Sequence, residues 1–533
     1  MASVRYDAIV VGGGHNGLSA AGYLAKAGLR TLVLERRAIV GGAAVTEEFH
    51  PGFRISTLSY VSALLHPKVI EDFELERLGY EVMPLEGSLM LCGDGRELLL
   101  TDDPAQQQRE IGRYSNSDYA ASQRFHALIN EAATAARGQW LREPPPLDGF
   151  RLSDSANVVQ LGRDLKRTGP EARRLLAHAM AGSARQIIER YFSCDIVRLY
   201  QASHIVIGSF AHLEAPGSAI SFIRHGVQAV DGKKRPWGIV KGGMGAITGA
   251  MAEFAREKGC EIRTGAPVER ILVEGGAAVG VRLADGTELR ARVVVSNADP
   301  RRTFLGLVGE ANLPEDFAAD MRGYRMGTAS FKLNLALSGL PRIGADDGRE
   351  PGARHRTIIN LVDSWPAIDR SYREASAGRV ADPATVQIVF PSVFDAGLVP
   401  DGRHVASLAC KYFPYDLADG KNWDDLRAPT ADRILAWVER FIPGLGEKIL
   451  ARQAITPLDM EREYGLTRGD IHHGRIDPDQ IWNLRPHADA AQYRTPVAHL
   501  YLCGSGTHPG GGVTGVPGHN AARRVLKDLR HRG

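Results

Sequence analysis

Residues 7–37 read DAIVVGGGHNGLSAAGYLAKAGLRTLVLERR, and no other stretch restricts the fold of this chain as tightly. Ala8 to Val11 is a short apolar run of the kind that forms a buried parallel strand. It breaks at Gly12, Gly13 and Gly14, and Gly17 follows at a fixed offset. Gly12 permits a tight turn, Gly14 lets a pyrophosphate approach the backbone, and Gly17 lets the next helix pack close on the strand. That helix, expected over 16–27, points its positive N-terminal end at the phosphates, and Gly28 stops it. Residues 31–34 form a second strand, with Glu35 at its end, where a carboxylate accepts hydrogen bonds from a ribose. A lone GxGxxG is weak evidence. With a strand before it, a helix after it and an acid at the right distance, it is strong. The stretch predicts an α/β fold that grips a dinucleotide.

A chain of 533 residues exceeds one simple core, so two or three lobes are expected. Hydrophobic content of 44% and charged content of 24% are ordinary for a globular protein. The formal charge of +3 gives no case for a nucleic-acid partner. The local basic runs at 163–174 and 232–235 read as solvated faces, with a membrane-surface role as the minor alternative. The cysteines, Cys92, Cys194, Cys260, Cys410 and Cys503, include no CxxC and no near pair. That argues against zinc, a disulfide framework and a redox-active dithiol. The first strand begins almost at the initiator methionine, leaving no room for a leader peptide, and no apolar run reaches membrane-spanning length. A soluble, cytoplasmic protein is expected, with peripheral membrane contact still compatible.

The nucleotide-binding unit reads as discontinuous, built from 1–75, 236–300 and 491–533. Within 241–300 a glycine turn leads to a helix (246–258), a strand (261–264) and a β-meander of runs 268–274, 278–283 and 288–291. A separate apolar strand (293–295) returns after it. The tail supplies a strand, a glycine-rich loop and a final helix. Residues 76–235 and 301–490 form a mixed substrate lobe, of which 105–235 is a mainly helical insert interrupted by the prolines at 144–146. In the second block, strand-like runs fall at 330–337, 385–390 and 404–412, with a helix near 430–441. No second GxGxxG follows a strand in mid-chain, so a separate NAD(P)H domain is not expected.

Two features select FAD over NAD. The pair Gly41-Gly42, just past Arg36 and Arg37, lets a second backbone loop close over the pyrophosphate. The loop 504–515 can present peptide N–H groups to a ribityl chain and an isoalloxazine edge, and its closing helix directs a dipole at a flavin carbonyl.

The set VVGGGHNGL, LERRAIVGGAA, WGIVKGGMG, VVSNADP, GDIHHG and LYLCGSGTHPGGGVTGVPGHNAAR resembles the phytoene-desaturase-like, or carotenoid-and-retinoid-oxidoreductase-like, FAD flavoproteins over nearly the whole chain. The resemblance implies non-covalent FAD in a discontinuous Rossmann-like domain, with substrate entering between that domain and the mixed lobe. Carried onto this sequence, it implies that Gly12, Gly14 and Gly17 cradle the pyrophosphate, with Gly41, Gly42 and Ala43 as its second contact. Glu35 would bind the adenosine ribose, Arg37 would lie along the adenine, and Val268 would meet it through its backbone. Gly504, Ser505 and Val513 would approach the ribityl chain and flavin. Two positions depart from the pattern: Ser505 stands where such proteins place an acid, and Ala43 where arginine often follows the glycine pair.

A flavin takes two electrons as a hydride at N5, so the protein need supply only positioning, a dry pocket and a proton acceptor. This explains why no triad or metal cluster is evident, and no catalytic residue is assigned. His472 and His473 in GDIHHGRI, and His508 in the tail loop, are candidates, each also able simply to orient its loop. Adjacent histidines rarely face one ion, so no metal is expected. The leading reading is an FAD-dependent oxidoreductase that dehydrogenates or isomerises a hydrophobic polyene, isoprenoid or lipid-like molecule. An amine-oxidase-like enzyme is the second; it needs an aromatic cage, for which Tyr412, Phe413 and Tyr415 are the available cluster. A flavin-stabilised regulatory or interaction protein with little turnover is the third. Homo-oligomer formation and a protein partner are compatible with all three.

Overall fold

The computed structural model describes residues 5–147, 155–206, 210–227 and 237–530; the basic run at 232–235 lies outside them. The strand Arg5–Val11 pairs in parallel with Thr31–Leu34 on one side and with Glu288–Ser296 on the other. Glu261–Arg263 extends the sheet beyond Thr31–Leu34, and Leu500–Leu502 joins the far half of Glu288–Ser296, both in parallel. One sheet is thus assembled from three stretches distant in sequence. Three helices, His15–Lys26, Gly245–Glu257 and Val516–Arg530, pack with the first at their centre. One face buries Ala8, Val10 and Val33 against Ala20, Leu24 and Val525. The opposite face buries Ile9, Val11 and Leu32 near Phe304 and Phe317. With both faces covered, the near-continuous apolar runs of these strands are explained.

The two runs expected at 288–291 and 293–295 are one nine-residue strand. Its first residues pair antiparallel with Ala277–Leu283 and its last pair in parallel with Leu500–Leu502. Arg292, which interrupts the apolar run, does not interrupt the strand: its side chain reaches out to Asp7 at 3.1 Å.

A second seven-stranded sheet runs in the order Ile449–Ile455, Ser330–Leu337, His404–Lys411, Thr385–Val389, Ile358–Val362, Gly87–Cys92 and Glu97–Thr101. The runs 330–337, 385–390 and 404–412 supply its middle; the other four strands were not legible as strands. The helix expected at 430–441 spans Trp423–Glu439, with Pro429 inside it and Asn422 capping the Asp425 N–H. The helix therefore begins seven residues earlier than expected, its cap and first turns lying before Pro429. Trp423, Ile434 and Trp437 of this helix cover Leu333, Leu335 and Leu408 on one face of the sheet. The helical insert includes Asn116–Arg137, Pro170–Ala181, Asp195–Ile205 and Ile220–Gly226. It closes around Phe125, Phe192 and Phe222 over Met90 and Leu98 at the sheet's edge. Arg163, Lys166, Arg167, Arg173 and Arg174 are exposed, as a solvated face requires. Among the described residues no helix is long and apolar enough to cross a membrane.

Candidate cofactor and substrate site

The glycine turn sits where the first strand meets its helix. Gly12 has φ +100°, a conformation that side chains disfavour. A Cβ on Gly17 would lie 2.1 Å from the Gly12 carbonyl oxygen, so only glycine permits this approach of helix to turn. A Cβ on Gly14 would meet only the tip of the Asn297 amide, at 2.9 Å. Gly41 donates its N–H to the Gly13 carbonyl at 2.9 Å, and a Cβ on Gly42 would touch the Gly14 Cα at 3.4 Å. The two glycine loops are therefore seated on one another. Ala43 accepts a bond from the Ser59 N–H at 3.0 Å, which ties the second loop to the hairpin that follows.

At the far end of Thr31–Leu34, the buried Glu35 carboxylate accepts from the Gly13 N–H and the Arg37 N–H, each at 2.8 Å. Each oxygen keeps a lone pair for a further donor. The Arg37 guanidinium is 2.5 Å from Glu47 and 4.6 Å over the Tyr464 ring. Val268 opens the strand Val268–Glu274, paired with Leu283 just before a register irregularity.

The tail loop folds back onto the start of the first helix. Asn16 donates to Ser505 Oγ at 3.2 Å, and Ser19 donates to the Gly515 carbonyl at 2.7 Å. Val513 packs against the group containing Leu18 and Ala44. Gly504 is pressed between Asn297 and His473: a Cβ there would lie 2.8 Å from the Asn297 carbonyl and 3.2 Å from His473 Nδ1. His472 and His473 are thus brought to the tail loop, and a Cβ on Gly511 would lie 2.2 Å from His472 Nδ1. Burial pushes His473 down to about 4, with Asp299 opposing and Arg485 reinforcing the shift. Burial also pushes His508 to about 4; it donates Nε2–H to the Gln139 carbonyl at 3.0 Å.

Several residues that organise this site carry no obvious signal in sequence. His15 lies against Gly512 O at 3.0 Å, and burial lowers it to about 4. Arg485 is 1% exposed and donates to the carbonyls of His472, Gly474, Arg475, Gln480 and Ser505, binding the GDIHHG loop to the tail loop. Lys332, on the second sheet, lies 3.8 Å over the Tyr60 ring and donates to Ser407 Oγ; burial lowers its pKa well below the ordinary range. Asn297 follows the strand Glu288–Ser296 in VVSNADP, and its side chain covers the glycine turn, a contact that nothing local in the motif reports.

A cavity of about 310 Å³ adjoins the tail loop, walled by Pro509, Gly511 and Thr514 on one side and by Ala136, Leu176, Met180 and Ile223 of the helical insert on the other. His508 also lines it; His472 and His473 do not. The sequence-suggested aromatic cluster does not form a cage. Tyr412 packs on Tyr372 and Phe210, Phe413 on Phe331, and Tyr415 lies under Arg468.

The residues around the glycine loops suit a flavin dinucleotide. Asn16 Oδ1, Arg37 Nη1 and His473 Nδ1 are buried around it without a protein partner, and unpaired buried polar atoms call for one. Two abutting glycine loops would give a pyrophosphate close access to main-chain N–H groups, and Glu35 would have lone pairs left for a ribose. A parallel α/β nucleotide fold joined to a mixed second sheet and a helical insert is the architecture of a flavin-containing oxidoreductase. Residues 10–73 match the NAD(P)-binding Rossmann-like domain, and residues 107–373 match the flavin containing amine oxidoreductase family. The chain belongs to the flavin-containing amine oxidoreductases and is an FAD-dependent oxidoreductase of the phytoene-desaturase-like type. It is 35% identical to pyridine nucleotide-disulfide oxidoreductase domain-containing protein 2 of Rattus norvegicus, over 99% of this chain and 94% of that one. It is 27% identical to the lycopene-forming phytoene desaturase of Pseudescherichia vulneris, over 98% and 99% of the two chains. The crystal structure of an oxidoreductase from Methanosarcina mazei shares the fold, with TM-score 0.61 and 18% identity over 98% of this chain and 99% of that one. The first relative's name speaks of disulfides, yet the cysteines here are unpaired and four of the five are buried.

Proposed function

We propose that this enzyme oxidises or isomerises an apolar, polyene- or isoprenoid-like molecule held in the cavity beside the tail loop. When bound, FAD would supply the electron-accepting chemistry, with N5 as the hydride-accepting position. Gly12, Gly14, Gly17, Gly41, Gly42 and Ala43 would hold the pyrophosphate, and Glu35 and Arg37 the adenosine end with the Val268 backbone. Gly504, Ser505 and Val513 would hold the ribityl and flavin end. The domain carrying these residues would comprise 1–75, 236–300 and 491–533, with 76–235 and 301–490 forming the substrate lobe.

The observation that carries this reading is the character of the cavity: its walls are mainly alkyl and aromatic side chains, with Gln139, Arg224, His508 and Thr514 the polar ones, and it abuts the loop assigned to the flavin edge. Such walls exclude water and orient an apolar chain, and they offer a protonated amine no carboxylate partner. Of the three candidate histidines, His508 alone lines the cavity. Its Nε2–H is committed to Gln139, so the neutral ring directs its acceptor lone pair from Nδ1, and we assign it as the candidate proton acceptor.

The resemblance to the phytoene desaturase supports an apolar substrate; the family description supports amines as the second reading, although Tyr412, Phe413 and Tyr415 do not supply a cage for it. Anaerobic titration of the FAD-loaded protein separates the two. Bleaching of the flavin band by apolar isoprenoid fractions, with primary and secondary amines inert, is the expected result. Bleaching by amines alone would replace this reading with the second, and a flavin that neither class reduces would favour a regulatory or interaction role.

A further inference from the structure

The helix Ile220–Gly226 separates two cavities. Ile223 faces the one beside the tail loop, while Phe222 and His225 face another of about 400 Å³, enclosed between the helical insert and the second sheet. This second cavity differs in chemistry. Aromatic surface from Trp237, Phe125 and Phe222 is interleaved with the uncharged polar groups of Ser122, Gln387 and His225.

Two of its lining residues carry buried polar atoms without a partner, Ser122 Oγ and His225 Nδ1. Ser122 is only 2% exposed, and it makes no back-bond to its own helix. His225 Nε2 lies 2.8 Å from the carbonyl oxygen of His204, which can only accept. Nε2 must therefore carry the proton. In a neutral ring Nδ1 is then a bare acceptor, and it requires a donor. A hydrocarbon supplies none, and neither does an ether or a ketone. A hydroxyl group matches both needs in kind: an O–H donates to an imidazole nitrogen, and the hydroxyl oxygen accepts from a serine.

The charge of the lining points the same way. Burial pushes His126 to about 4 and His225 to about 3, so these rings offer no cation to an anionic ligand. The one acidic residue of the lining, Asp102, sits on the exposed rim, leaving a buried cation uncompensated.

We propose that this cavity is a binding site for a neutral, largely apolar alcohol, whose hydroxyl is held by His225 Nδ1 and Ser122 Oγ while the aromatic walls take its body. The site is independent of the proposed substrate in the neighbouring cavity, and its occupancy requires no turnover.

The test is equilibrium binding of 1-octanol and of octane to the FAD-loaded protein, read from headspace concentrations. It compares wild type with Ser122→Ala and His225→Phe. Removing an unpaired buried hydroxyl does not endanger the fold, and phenylalanine preserves the ring stacked on Trp237. Each substitution should lower the octanol-to-octane affinity ratio by roughly threefold to tenfold, the worth of one hydrogen bond. An unchanged ratio in both variants overturns the proposal and leaves water as the sole occupant of these positions. Failure of any lipid to reduce the flavin would leave the binding result untouched, so the two readings fail separately.

Discussion

The Gly17 Cα stands so near the Gly12 carbonyl oxygen that a Cβ on it would lie 2.1 Å away, whereas a Cβ on Gly14 meets nothing closer than the tip of the Asn297 amide. The two glycines therefore answer different questions. Gly14→Val should fold, because an amide tip can swing aside, and should purify without flavin, because the added methyls fill the pyrophosphate approach. Gly17→Ala should lower the thermal midpoint by several degrees, since backbone must move. Absorbance spectra and melting curves of the two proteins check this. A fully flavin-loaded Gly14→Val would contradict the assigned pyrophosphate site.

Arg485 clamps the GDIHHG loop to the tail loop, donating to His472 and Gly474 in the one and to Ser505 in the other. Arg485→Lys keeps the charge but cannot reproduce the planar fork that reaches carbonyls of both segments. It should cost about 2–5 kcal/mol in urea unfolding, because buried carbonyls lose their donors. Flavin should also dissociate more readily from the variant, which gel filtration followed by spectroscopy would reveal.

Buried histidines make stability pH-dependent. Burial pushes His15, His126, His473 and His508 to about 4, below the ordinary 6.5. Between those values the unfolded chain binds protons that the fold refuses, so stability rises with pH in this window. It is complete above about 6.5 and is lost as pH falls toward 4. Urea midpoints measured from pH 7 to pH 5 should decline steadily. His508→Gln should reduce the slope, since one refusing site is gone.

The same residue gives a kinetic expectation. If His508 accepts the substrate proton, His508→Gln should slow flavin reduction by roughly 100-fold or more while leaving flavin content unchanged. In wild type the reduction rate should fall as pH drops through about 4, where the ring becomes protonated. A variant with the wild-type rate and profile would assign His508 to loop positioning alone.

Much of the nucleotide half was legible because its signals are local. Gly12, Gly14, Gly17 and Glu35 lie on one strand–turn–helix–strand unit, and each needs only its neighbours to be understood. The strand Glu288–Ser296 was divided in two because Arg292 breaks its apolar pattern, and only the pairing with Asp7 shows how the charge is accommodated. The second sheet was half-visible. Gly87–Cys92 and Ile358–Val362 pair across a separation that no local pattern reports. Arg485 and Lys332 were invisible for a related reason: an arginine bonded to five carbonyls and a lysine buried on a strand of the second sheet look in sequence like any surface cation. The aromatic cluster Tyr412, Phe413 and Tyr415 looked like one feature, but left-handed backbone at Tyr412 (φ +64°) helps to send its members into different surroundings.

The cavity beside the tail loop is the centre of the functional account, and blocking it is the most direct test. Met180→Trp adds bulk to a half-buried wall far in sequence from every glycine that would hold the cofactor. Anaerobic single-turnover reduction by the most effective apolar isoprenoid fraction should slow at least roughly tenfold in this variant, with flavin content and spectrum as in wild type. An unchanged reduction rate at full flavin occupancy would place the substrate elsewhere and contradict the account.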